Sequence, residues 1–299
     1  MRSIPYGELA ALGTSVCWTM STLAFSAAGQ RLGSLALNII RLVFAFVFLT
    51  AFCSIQRGLP LPTDASPHTW AWLSVSGAIG LILGDLCLFR AFALVGPRLS
   101  TLIMALVPPI AAVCGWLWLD ERLSATDVAG MAVTLAGVAW VVLEQPPVAA
   151  AEPRTREATG IALAVLGALG QGVGLVLSKL GMGVYDPFAA TQVRIIAGIV
   201  GFSLILSAVR WWPRVIAGAR DRAGMGFAAI GAFLGPFVGV SLSLIAIQRT
   251  KTGVAATLMS LTPVFIIPAV MVAHREAVSP RAILGAVVAV SGVAILWLS

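Results

Sequence analysis

Asp85 sits in the segment Gly84-Asp-Leu-Cys-Leu-Phe-Arg90, deep inside a long apolar run. An ionisable side chain in such surroundings is costly and marks a functional position by default. Two chemistries suit it: titrating a proton, or binding an amine from an inward-facing surface. The bland reading is a carboxylate neutralised by Arg41, Arg90 or a residue of another helix. Arg41 and Arg194 occupy matching places 153 positions apart, which favours a shared structural role such as snorkelling or pairing with a helix end. Contact with a solute is the second reading for that pair. Trp18, Ser21, Thr22 and Phe25 recur at i, i+3, i+4 and i+7 and share one helical stripe. Shifting by 153 puts Gln171, Gly174, Leu175 and Ser178 on an equivalent stripe. Such stripes serve equally to pack helices through small residues or to face an amphipathic molecule. With Phe89 and the polar groups of a later run, the candidate lining is Trp18, Ser21, Phe25, Asp85, Phe89, Met104, Gln171, Ser178, Ser241, Gln248 and Met259.

Other chemistries find little footing. No G-x-x-x-x-G-K-[ST] loop, helix-borne H-E-x-x-H pair or G-x-S-x-G elbow occurs. His68 and His274 fall near run ends. Cys17, Cys53, Cys87 and Cys114 all lie in apolar runs without a CxxC pair, so neither a metal nor a cofactor is expected, and no catalytic residue is assigned. Asp120, Glu121 and Arg122 form the one acid–base cluster at a membrane face, which keeps an enzyme acting on a lipid-linked substrate as a rival. A channel would need like polar groups along one pore, and the candidate polar residues are asymmetric. Glu121 and Glu276 are each expected to tie a short turn to the N-terminus of the next helix, where free N–H groups and the positive dipole end attract a carboxylate.

The elements that position these residues must lie in lipid. The chain is 59% hydrophobic and 10% charged, with a mean hydropathy of +0.99, against about 25% charged in soluble domains. Ten apolar runs fall near 8–28, 34–55, 70–94, 99–119, 125–143, 159–179, 187–209, 225–247, 253–273 and 281–298. A crossing needs roughly 20 apolar residues, and a chain in lipid satisfies its backbone as helices. The first run is expected to be retained rather than cleaved as a leader. Trp70, Trp72, Trp116, Trp118, Trp211 and Trp212 mark run ends, as interfacial indoles do. The surplus of arginine between runs reads as topology and headgroup contact, not nucleic-acid binding.

The two halves repeat. Pro108 pairs with Pro263, Met104 with Met259, Glu121 with Glu276, Gly80 with Gly235, Gly84 with Gly239, Gly130 with Gly285 and Gly137 with Gly292, each 155 positions apart. Residues 1–143 and 159–299 thus form two five-helix repeats joined by a Pro-rich linker, 144–158. Five is odd, so the second repeat enters from the opposite side. The expected fold is all-α, about ten transmembrane helices in two inverted repeats, an architecture of secondary transporters. Pro108, Pro109, Pro236, Pro263 and Pro268 break helical hydrogen bonding, and Pro108 and Pro263 are the candidate hinges.

The segment Ala105-Leu-Val-Pro-Pro-Ile-Ala-Ala-Val, running to Leu119-Asp-Glu-Arg-Leu-Ser and then Gly130 and Gly137, resembles the EamA repeat of the drug/metabolite transporter superfamily. Leu261-Thr-Pro-Val-Phe with His274-Arg-Glu-Ala-Val-Ser, Gly285 and Gly292 resembles its second copy, departing where His274-Arg replaces Leu119-Asp. The resemblance, closest to the bacterial amino-acid exporter branch, implies a central cavity lined by helices 1, 3, 4, 6, 8 and 9. It also implies export of amino acids or related metabolites across a bacterial inner membrane. Loop arginines, led by Arg210, Arg214, Arg220 and Arg222, would put the termini in the periplasm by the positive-inside rule. The resemblance implies cytoplasmic termini, and that orientation is expected here. The expected partners are a small-molecule substrate and membrane lipid, in a monomer or homodimer. The lining favours a zwitterionic or amphipathic solute, foremost a hydrophobic or aromatic amino acid, with drugs and other metabolites as the alternative.

Overall fold

A computed structural model describes residues 5–144, 157–266 and 279–298. Nine helices among them are long and apolar enough to cross a membrane: α1 (Tyr6–Leu32), α2 (Ser34–Arg57), α3 (Pro67–Phe92), α4 (Leu99–Leu119), α5 (Ala125–Glu144), α6 (Glu157–Met182), α7 (Pro187–Ala208), α8 (Arg222–Arg249) and α10 (Pro280–Trp297). The tenth apolar helix, α9 (Thr252–Ile266), is shorter over its described part. No strand occurs among the described residues. Glu276, Pro268 and His274 lie outside them.

Local chemistry sets the helix ends. Gly33 and Gly58 hold φ values of 80° and 70°, which side chains resist, and they end α1 and α2. The side chains of Ser66, Asp186 and Asp221 accept N–H groups at the starts of α3, α7 and α8. Ser124 and Asp127 cap α5 reciprocally: Asp127 N–H donates to Ser124 Oγ at 3.0 Å and Ser124 N–H to Asp127 Oδ2 at 2.7 Å.

The repeat recurs in three dimensions. Helix α3 widens into a π-helix over Ala78–Gly84, and α8 does so over Phe233–Gly239, the equivalent seven residues. Helix α4 turns out of α-geometry at Ala105 and Leu106, and α9 at Ser260 and Leu261, again equivalent positions. Pro108 and Pro263 follow these turns. Pro263 brings no N–H to the Met259 carbonyl, which accepts the Thr262 hydroxyl instead at 3.2 Å.

Helices α5 and α10 pack against each other within one chain. Any side chain at Gly137 would meet the Ala289 backbone, and one at Gly292 would meet Thr134. This settles where the Gly130/Gly137 and Gly285/Gly292 faces go: they are used inside the chain. The stretch Thr252–Met259 of α9 is buried at every residue and lies in the larger apolar core with Leu244, Val176 and Leu73. A second core joins α2 and α7 through Leu42, Leu49, Ile195, Phe202 and Leu206.

Candidate functional site

The polar centre of the bundle is built by α2, α3, α6 and α7. Asp85, the first residue after the α3 π-helix, is buried and forms an ion pair with Arg41 of α2. Its other oxygen, Oδ1, accepts Gln171 Nε2 at 2.9 Å, and the same amide donates to the Gly80 carbonyl at 3.2 Å. The rings of Phe25 and Phe89 flank Arg41, each centroid 5.6 Å from its Cζ. Cation–π contact of this kind gains strength where water is excluded.

Arg194 of α7 reaches the same turn of α3. It is 5% exposed, and a methyl at Gly80 would lie 3.3 Å from its Nη2. Its Nε is buried without a hydrogen-bond partner, as is the Nε of Arg41. Asp85 is within its electrostatic reach, yet among the described residues no carboxylate pairs with it. Sequence reasoning favoured interfaces or helix ends for Arg41 and Arg194, with solute contact as the second reading, and named Arg41 among the partners that could neutralise Asp85. The structure pairs Arg41 with Asp85 and buries Arg194 within the electrostatic reach of the same carboxylate, away from any helix end.

The stripe residues take symmetric positions against glycine faces. Trp18 stands over Gly239, where a methyl would lie 2.8 Å from its Cδ1, and Gln171 stands over Gly84, at 3.3 Å by the same measure. Ser21 lies against Gly235 and donates to the Gly231 carbonyl at 2.9 Å. Pro236 supplies no N–H to that π turn, so a hydroxyl from α1 meets the exposed carbonyl. Phe25 packs on Gly231, and its counterpart Ser178 meets Ser76 Oγ at 2.7 Å. The structure therefore gathers Asp85, Gln171, Phe25 and Phe89 around Arg41, with Trp18 and Ser21 on the equivalent face of α1 against α8. Ser241 is buried and donates to Thr191 Oγ1 at 3.3 Å. Met259 lies in the apolar core, and Met104 is half-buried. Gln248 donates to the Gly183 and Tyr185 carbonyls at 2.8 and 3.0 Å, at the membrane face that carries the N-terminus.

That face is closed by polar side chains. Glu121 does not tie its turn to α5, as the sequence reading expected. It accepts Thr252 N–H at 2.7 Å and Thr252 Oγ1 at 2.9 Å, capping α9 of the other repeat, and pairs with Lys179 at 2.7 Å. Asp120, in left-handed geometry at φ 53°, ends α4 so abruptly that Glu121 is swung past α5, whose cap Ser124 and Asp127 already fill. Lys179 also donates to the Thr250 carbonyl at 2.7 Å, Thr250 Oγ1 to Glu8 at 3.0 Å, and Lys251 pairs with Asp127. A cleft of about 360 Å³ lies in this network, lined by Glu121, Lys179, Gln248, Arg249, Thr250 and Lys251. It belongs to the closed face and not to the Asp85 centre. Beside it Arg57 pairs with Asp64, and Tyr185 donates to Asp64 at 2.8 Å while lying under Arg57. On the opposite face Arg31 pairs with Asp221 at 3.3 Å, Ser279 donates to Glu144 at 3.1 Å and Trp212 Nε1 donates to Ser207 Oγ at 2.9 Å.

Two repeats of apolar helices around a buried polar centre define a multi-pass membrane transporter. The family follows: residues 5–143 and 158–298 each match the EamA-like transporter family, and the chain belongs to it. It is a transporter of the drug/metabolite type. A crystal structure of a protein 19% identical in sequence superposes with a TM-score of 0.77, covering 99% of this chain and 98% of that one, and shows that the fold is shared. No curated protein matches the chain.

Proposed function

We propose that the protein exports small organic solutes, foremost amino acids with hydrophobic or aromatic side chains, by alternating access across a bacterial inner membrane. The observation that carries this reading is the Asp85 centre: a carboxylate, an amide and two guanidinium groups, that of Arg41 flanked by Phe25 and Phe89, within an otherwise apolar bundle. Groups of both charges beside aromatic rings suit a solute with charged and apolar ends. Trp18, Ser21, Met104, Ser178, Ser241, Gln248 and Met259 complete the candidate set along the solute path. Residues 1–143 and 159–299 are the two moving units, joined through 144–158, with Pro108 and Pro263 as hinges. The polar closure on the N-terminal face fits one end state of such a cycle. No covalent intermediate or cofactor is involved.

The test is counterflow in proteoliposomes preloaded with single amino acids. Saturable exchange of phenylalanine, leucine or tryptophan is the expected result. If no amino acid exchanges while drugs or other metabolites do, the amino-acid assignment fails and a broader exporter replaces it.

A further inference from the structure

The Asp85 centre is short of one negative charge. Arg41 and Arg194 both bring a guanidinium into the interior, and Asp85, the ion-pair partner of Arg41, is the carboxylate within the electrostatic reach of Arg194. That carboxylate is already committed: one oxygen to Arg41 and the other to the Gln171 amide. Arg194 is left 5% exposed, its Nε without a hydrogen-bond partner, lying against Gly80 one turn before Asp85. Burying an unpaired guanidinium costs several kcal/mol in effective terms, and such groups are otherwise found paired. Lys179, the cation of α6, is taken up by Glu121 and the Thr250 carbonyl at the membrane face. No other described carboxylate stands within ion-pair distance of Arg194 to supply the missing charge.

We propose that the solute supplies it: the transported molecule carries a carboxylate, and Arg194 is its anchor. The planar guanidinium fork offers two parallel N–H donors to a carboxylate, a geometry an ammonium group cannot reproduce. The glycines of α3 make this possible, because Gly80 leaves the space in which the guanidinium lies. The repeat explains the asymmetry. Arg41 and Arg194 are equivalent residues, but the position equivalent to Asp85 in α8 is Val240, so one arginine is met by the protein and the other is left for the solute. Phe25 and Phe89, beside Arg41, then receive the apolar end. This inference rests on the reading of the centre as the solute site and narrows it: amines and neutral amides of the same shape are poor ligands.

The experiment is thermal unfolding of the full-length protein in detergent, at constant ionic strength, with 3-phenylpropionate, 3-phenylpropanamide or 3-phenylpropylamine. The carboxylate should raise the unfolding midpoint by several degrees, and the amide and amine by much less. Arg194→Gln should lose the selective shift and Arg194→Lys should retain part of it. Equal shifts for carboxylate and amide in the unaltered protein would overturn the proposal without recourse to any variant. So would a selective shift that survives in a monodisperse Arg194→Gln protein. Selective carboxylate binding without amino-acid flux in proteoliposomes would uphold the anchor while sinking the amino-acid assignment, so the two failures are told apart.

Discussion

Arg41 of α2 and Arg194 of α7 hold equivalent places in the two repeats, yet Arg41 is ion-paired with Asp85 and Arg194 is not. The symmetry of the backbone is therefore broken by charge at its centre. An inverted repeat with identical halves would bind any solute ambiguously; a single carboxylate gives the site a polarity.

Asp85→Asn should destabilise the protein strongly, because it leaves two buried guanidinium groups uncompensated. Removing one partner of a buried ion pair costs about 3–5 kcal/mol, whereas replacing both partners by apolar residues is often neutral. Thermal unfolding should thus place Asp85→Asn and Arg41→Met well below the double variant Arg41→Met/Asp85→Leu. Single variants as stable as the parent would show the pair to be energetically idle.

Glu121 caps α9 and holds Lys179, so it links the two repeats on the closed face. Loss of a cap costs about 0.5–2 kcal/mol, and Glu121→Ala should shift the population towards opening on that face. The measurement is labelling of Thr250→Cys by a membrane-impermeant thiol reagent, in a background lacking Cys17, Cys53, Cys87 and Cys114. Faster labelling in the Glu121→Ala protein is expected; an unchanged rate would make Glu121 a local cap alone.

The Arg57–Asp64–Tyr185 cluster predicts a pH response with two limbs. Burial would raise the Asp64 carboxyl, but the Tyr185 hydroxyl and Arg57 outweigh it and hold it below its ordinary value. Its stabilisation is complete above that ordinary value and is lost as pH falls through the depressed one. Burial, then the hydrogen bond to Asp64, push Tyr185 from its ordinary 10.0 up to about 12. Its stabilisation is complete below 10.0 and disappears as pH rises through about 12. Unfolding midpoints measured across pH should fall at both ends, and Tyr185→Phe should flatten the alkaline limb. An identical alkaline limb in that variant would place the sensitivity elsewhere.

Gly137→Ala should lower stability by about 1–3 kcal/mol, the usual penalty of overpacking. The added methyl has only the Ala289 backbone to occupy. Thermal unfolding measures it, and a neutral result would mean that α5 and α10 separate more readily than their packing shows.

Much of this architecture was legible in the sequence. Apolar runs of about 20 residues can be little else in lipid, and the recurrence of Pro108 at Pro263 and Gly84 at Gly239 exposed the repeat. Asp85 announced itself because a carboxylate in an apolar run needs a reason. The π segments at Ala78–Gly84 and Phe233–Gly239 did not, although the glycine pairs Gly80/Gly84 and Gly235/Gly239 bracketed them. A π turn depends on what packs against it, here Gln171 and Trp18, and neither is local in sequence. For the same reason Glu121 was assigned to the adjacent helix: its true partner, Thr252, lies in the other repeat, and local cap chemistry cannot see across that distance. For Arg194 the sequence left snorkelling, a helix end and solute contact open, and its burial was the least expected because an unpaired guanidinium in the interior is the costliest arrangement.

The most direct test of the account is amino-acid flux in proteoliposomes of the purified protein, with and without an imposed pH gradient. Saturable movement of aromatic or hydrophobic amino acids, accelerated by preloading the opposite side and abolished in a folded Arg194→Gln variant, is the predicted result. A protein that is folded and reconstituted yet moves none of them under either condition would contradict it.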